Sequence, residues 1–228
     1  MSQYGKIIAS QDAVLKILFP IVPSHCVLTG GTALTRFHGF AHRFSEDLHL
    51  ILFSPSKDLI FSWIVEMRRH AFYVEVVSGS SDRPDELFHL SALISPPSGN
   101  QTIRVDFIED IFSGCWLPQR MKTHETHVEF NVDSLEAILH KKLYAVYSNR
   151  LRHAAPRTKD ILDIFILLRD TFRIEVVREF YRNARDISLP FNAIVEMIKE
   201  APLDFEGLLG VSRELEREVS LWRARLKG

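Results

Sequence analysis

Two hydrophobic periods run along this chain, and the change from one to the other near residue 118 divides it. Residues 10 to 19 carry apolar side chains at the spacing of a short amphipathic helix. Residues 25 to 28 form an apolar run leading into Gly30-Gly31, which predicts a buried strand, a tight turn and a helix start over 32 to 37. Over 44 to 53 the period is two. Leu48, Leu50 and Leu52 fall on one face and Asp47, His49 and Ile51 on the other, as in a half-buried strand, and Pro55 ends it. A helix is expected from Ser56, with apolar positions at Leu59, Ile60, Trp63, Ile64 and Met67, and strands follow near 72 to 77, 86 to 94 and 101 to 108. Beyond Pro118 a polar connection runs through Thr126, and helical periodicity then holds to the end. Asp133 and Glu136 have capping-box spacing ahead of a helix reaching about residue 150. Another helix spans about 159 to 169, and three or so fill 175 to 227. The expected architecture is α+β: a mixed α/β core over 1–120 and a helical domain over 121–228 that completes a shared cleft. There are no internal repeats.

Composition narrows the class without naming a partner. The chain has 228 residues, 46% hydrophobic and 25% charged, as in ordinary soluble globular proteins. Its formal net charge of -1 makes no global case for nucleic acid, so any such partner must be held by a local patch. Cys26 and Cys115 form no CxxC pair, which leaves neither a disulfide framework nor a zinc ribbon and fits a reducing cytoplasm. No signal-peptide pattern opens the chain, and no apolar stretch reaches membrane-spanning length, so no membrane partner is expected.

Three sets of polar residues break their local pattern. Asp47 and His49 share a strand face just after the glycine turn, whose missing side chains let backbone N–H groups approach a phosphate. Asp106, in QTIRVDFIED, lies on the outer face of a strand whose core face is Ile103, Val105 and Phe107. Two acids on neighbouring strands can share a metal; the plainer alternative is a simple turn beside solvated acids. Lys142 falls inside the apolar stripe of Leu135, Ile138, Leu139, Ala145 and Val146, where it must snorkel, pair or meet a ligand. Asp160 and Asp163, spaced i, i+3 in KDILDIFILL, sit on a helix apolar nearly all round and need a cationic partner. A structural ion pair between two helices accounts for Lys142 and these acids as well as catalysis does. The basic segment NRLRHAAPRTKD reads as solvated surface or a phosphate-binding loop. His124 and His127 lack zinc-protease spacing and read as surface residues.

Taken in order, GGTAL, HRFSEDL, RVDF, ILHKKLYAV and TKDILDIFIL resemble the motifs of the AbiEii/AbiGii-type toxins, members of the nucleotidyltransferase superfamily related in fold to DNA polymerase β. The resemblance runs from about 26 to about 170. It implies a nucleotidyltransferase-like mixed sheet with helices, followed by a helical C-terminal half, in a cytoplasmic bacterial toxin with a cognate antitoxin protein. It also implies an NTP substrate, a divalent metal, Mg2+ or Mn2+, and transfer of NMP to an RNA such as a tRNA 3′ end, or to a protein hydroxyl. Carried over, Gly30, Gly31 and Thr32 hold the triphosphate, Asp47 and Asp106 ligate metal, Lys142 contacts NTP phosphates and Asp160 is the later motif acid.

One position departs from that pattern. The family strand reads D-x-D, and here the second acid is His49. Imidazole removes a charge and a hard donor, which weakens a Mg2+ site more than a Mn2+ site built from Asp47, His49 and Asp106. Glu46 is no substitute, because alternation turns it to the opposite face. A neutral His49 is also a candidate general base toward the acceptor hydroxyl. Three outcomes follow from the exchange: an enzyme with altered metal preference, an NTP-binding protein with little catalysis, or a fold kept for partner binding.

Overall fold

The computed structural model describes residues 2–21, 26–53, 57–79, 88–99, 101–109, 116–183 and 189–226. Its chain divides into two compact units: Met1–Phe40 with Ser45–Ser134, and Ala41–Phe44 with Leu135–Gly228.

The first unit is built on a seven-stranded mixed sheet of order β3-β4-β5-β2-β1-β7-β6. Its strands are β1 (Cys26–Thr29), β2 (Leu48–Leu52), β3 (Tyr73–Gly79), β4 (His89–Ser95), β5 (Ile103–Glu109), β6 (Gln119–Lys122) and β7 (Glu129–Val132). β2 runs parallel to β5 and β1 parallel to β7, while the other neighbours are antiparallel. Alternation explains β5: Ile103, Val105 and Phe107 are buried on the core face, where the Trp63 ring meets Phe107 edge-on at 4.7 Å. Trp63 belongs to α3 (Lys57–Arg69) and lies beneath the sheet with α1 (Gln3–Ile21), which buries Val14, Leu15 and Leu18.

Four expectations shift. The first helix begins at Gln3 rather than residue 10, because Ser10, Gln11 and Asp12 are buried through distant partners: Gln101 O, Ser45 O and Arg36. The strand expected over 44 to 53 starts only at Leu48, where its pairing with Val105 of β5 begins. The stretch read as a polar connection contains β6, and β7 follows; this hairpin adds to the sheet beside β1, within the unit that runs to Ser134. The helix expected over 32 to 37 begins at Gly30 instead, as one α-helical turn, α2 (Gly30–Thr32), and continues as a π-helical segment, Ala33–Phe37. Residues 25, 56, 86, 87, 184–188 and 227 of the expected elements lie outside the described residues.

The second unit is helical: α4 (Leu135–Leu151), α5 (Thr158–Asp170), α6 (Ile174–Asn183), α7 (Phe191–Glu200) and α8 (Arg213–Arg225). Ser212 caps α8 by accepting from Leu215 N at 3.1 Å, and Arg223 donates to the carbonyls of Ile198, Lys199 and Ala201, closing the C-terminus of α7. Leu215 and Val219 are buried as α8's amphipathic pattern predicts, and Trp222 packs on Phe165 at 5.3 Å while Leu221 stays exposed. Among the described residues no helix is long and apolar enough to cross a membrane.

Candidate functional site

At one end of the sheet β1 finishes opposite His49, its Thr29 paired with that residue across the antiparallel ladder. Gly30 then turns the chain with φ 74°, a left-handed conformation open to glycine. A Cβ placed there would lie 3.5 Å from His49 Nδ1, so the imidazole rests against the turn. Gly31 and Thr32 are buried behind it. The Thr32 hydroxyl spans to Ser45 Oγ at 3.0 Å and to the main-chain oxygen of Asp47, which ties the helix start to the segment carrying that acid. Thr32 thus fixes where Asp47 enters the sheet.

From His49 a polar row crosses three strands at one level, because the register pairs His49 with Asp106 and Asp106 with Ser91. Asp106 Oδ2 lies 3.5 Å from His49 Nε2. Its Oδ1 accepts from the Ser91 hydroxyl and from Arg104 Nε at 3.0 Å, with His89 Nε2 at 3.7 Å. Arg104 Nη2 donates to Ser91 Oγ at 2.8 Å and closes the ring of contacts. Desolvation pushes the Asp106 carboxyl upward, but the hydrogen bonds from Ser91 and Arg104 and the nearby His49 and Arg104 charges outweigh it and hold the group below the ordinary carboxylate range. Asp106 is a carboxylate already supplied with donors and with a counter-charge.

That arrangement bears on the expected metal. A divalent ion such as Mg2+ needs several hard oxygen donors converging on one point. Among the described residues no three His, Cys, Asp or Glu side chains are disposed to hold an ion, so Asp47, His49 and Asp106 do not form the triad expected of them. The physical reason lies in the chain itself: His49 replaces one carboxylate, and Arg104 engages another. The residues present do not fit a preformed metal centre.

The remaining expected residues lie in the second unit. Lys142 Nζ on α4 meets Asp160 Oδ1 and Asp163 Oδ2, each at 2.7 Å, on α5. Asp163 also takes His42 Nε2 at 2.8 Å and a two-pronged contact from Arg43, Nε and Nη2 both at 2.8 Å. Arg157 Nε reaches Asp160 Oδ2 at 2.6 Å. Burial raises both acids, yet Lys142 with Arg157 lowers Asp160, and Lys142 with Arg43 and His42 lowers Asp163 still further. The ion pair between helices anticipated for these residues is present, and Lys142 did not need to snorkel.

Sequence reasoning passed over Ser91, His89 and Arg104 at the sheet end, and His42 and Arg43 in the helical unit. Arg104 carried a signal, since alternation in IRVDF sets it on the face of Asp106. Ser91 and His89 carried none, because their place depends on the register of β4 against β5. His124, read as surface, bonds the Phe37 carbonyl at 2.9 Å.

Known proteins match this geometry in fold. JHP933 from Helicobacter pylori superposes with a TM-score of 0.53 at 14% identity, covering 96% of this chain and 91% of its own. A second H. pylori chain, provisionally described as a nucleotidyltransferase, gives 0.54 at 15% identity, covering 96% and 93%. No curated protein matches the sequence. A family model described as the nucleotidyl transferase AbiEii toxin of a type IV toxin–antitoxin system matches residues 16–219. Because that model spans most of its length, the chain belongs to the AbiEii nucleotidyltransferase toxin family.

Proposed function

We propose that the sheet unit binds a nucleoside triphosphate where the Gly30-Gly31 turn meets Asp47, His49 and Asp106, and that the chain passes the NMP moiety to a hydroxyl of RNA or protein. The observation that carries this reading is convergence: a left-handed glycine, the imidazole resting on it and the acid row all occupy one end of one sheet. In the reaction the acceptor oxygen attacks the α-phosphorus, the bond to the bridging oxygen of the β-phosphate breaks, and pyrophosphate leaves. A tRNA 3′ end is one acceptor of suitable chemistry. A cognate antitoxin and a cytoplasmic setting belong to the same proposal and rest on the family's description as a toxin.

A second reading has an observation of its own. With Asp106 engaged by Arg104 and Ser91, the site is suited to binding NTP with little turnover. Label transfer from each α-labelled NTP to total bacterial RNA and protein, with Mg2+ or Mn2+, separates the two. Transfer by wild type that Asp47→Ala abolishes supports the enzyme. A silent wild type beside an active His49→Asp variant supports the lapsed site. Lys142 and Asp160 enter as candidates of the helical unit, and exchanging their charges in the same assay tests them: unchanged label transfer would confine them to the ion pair.

A further inference from the structure

We infer that Arg104 serves as the phosphate-facing cation of this site in place of a divalent ion, so that the chain binds nucleoside triphosphate without Mg2+ or Mn2+. The inference rests on the nucleotide reading above and adds to it a residue and an ionic requirement.

Position is the first support. Val105 pairs with Leu48 in the parallel ladder, so Arg104 stands one residue nearer the end where Asp47 enters and the glycine turn leaves. Orientation is the second: the Nε and Nη2 bonds to Asp106 and Ser91 fix the guanidinium plane. The third is availability, since the side chain is 47% exposed and its Nη1 has no partner among the described residues. A guanidinium anchored along one edge and open along another is preorganised to donate to phosphate oxygens.

Charge points the same way. A set of three carboxylates calls for a bound cation before an anionic triphosphate can approach. Here the histidine exchange and the Arg104 pairing each remove one negative charge from that set. Asp106 then acts as a positioning residue, holding Arg104 and His49 on either side of its carboxylate.

Calorimetric titration of the full chain with ATP, GTP, CTP and UTP, in EDTA and then with Mg2+ or Mn2+, tests this. The expected result is binding of at least one NTP whose Kd changes less than about threefold between EDTA and metal. Arg104→Gln should weaken that binding by about tenfold or more, and Arg104→Lys should restore only part of it, because a point charge lacks the fork. Far-UV circular dichroism confirms that each variant is folded. Binding that appears only with Mg2+ or Mn2+, or that Arg104→Gln leaves intact, overturns the inference while the nucleotide reading stands. No NTP binding under any ionic condition overturns both.

Discussion

Asp163 gathers more charge than any neighbour on α5, and its surroundings decide what its loss would cost. Its side chain is fully buried, and its two oxygens accept from His42, twice from Arg43 and from Lys142. Removing one partner of a buried ion network strands the others without compensation. Asp163→Asn is therefore expected to cost about 3–5 kcal/mol of unfolding free energy, since Arg43 and Lys142 stay nearly buried. Asp160→Asn should cost less, because its partner Arg157 is 52% exposed and can turn to water. Urea denaturation of the two variants checks the order, and equal losses would show that the donors relax after the acid is gone.

Among the elements, legibility followed how much of each pattern was local. β5 was readable because three buried apolar residues alternate within seven positions, and α5 because its apolar run outlasts any strand. β6 was not, since Gln119–Lys122 offers Met121 as its one apolar residue and is held by pairing with β7. The π-helical segment after the glycine turn likewise leaves no mark in composition. At the site, period-two alternation exposed Asp47 and His49, whereas the Arg104–Asp106–Ser91 contacts depend on the sheet's strand order. Likewise, His42 and Arg43 reach Asp163 across more than a hundred residues of chain. A test at this scale lies in the hairpin. Phe130 on β7 is 1% exposed, so Phe130→Ala should cost about 3–5 kcal/mol if β7 is a true member of the core. By contrast Gln119→Ala, on the exposed strand β6, should stay within about 0.5 kcal/mol. Denaturant midpoints of both variants read the contrast, and a neutral Phe130→Ala would detach the hairpin from the core.

For the whole molecule, buried titratable groups in the two units predict how stability follows pH. His140 on α4 bonds the Tyr181 hydroxyl through Nδ1 at 2.7 Å, and the two rings stack at 5.6 Å. Burial, with a smaller contribution from the Lys141 charge, lowers its pKa from 6.5 to about 4. Between those two values the unfolded chain binds a proton there that the folded chain refuses, so stability falls as pH drops through that window. Asp106, Asp160 and Asp163 act lower on the scale. Their folded carboxyls lie below the ordinary range, so their contribution is present above the unfolded value near 3.8 and is lost as pH falls through the folded ones. Thermal unfolding followed from pH 7.5 to 3 should therefore show Tm declining from about 6.5 and falling again below about 4, because different groups titrate in the two windows. His140→Gln should flatten the first decline and leave the second. A first decline unchanged in that variant would place its origin elsewhere than at the buried imidazole, and a wild-type Tm constant down to pH 4 would mean His140 takes up its proton without disturbing the Tyr181 contact.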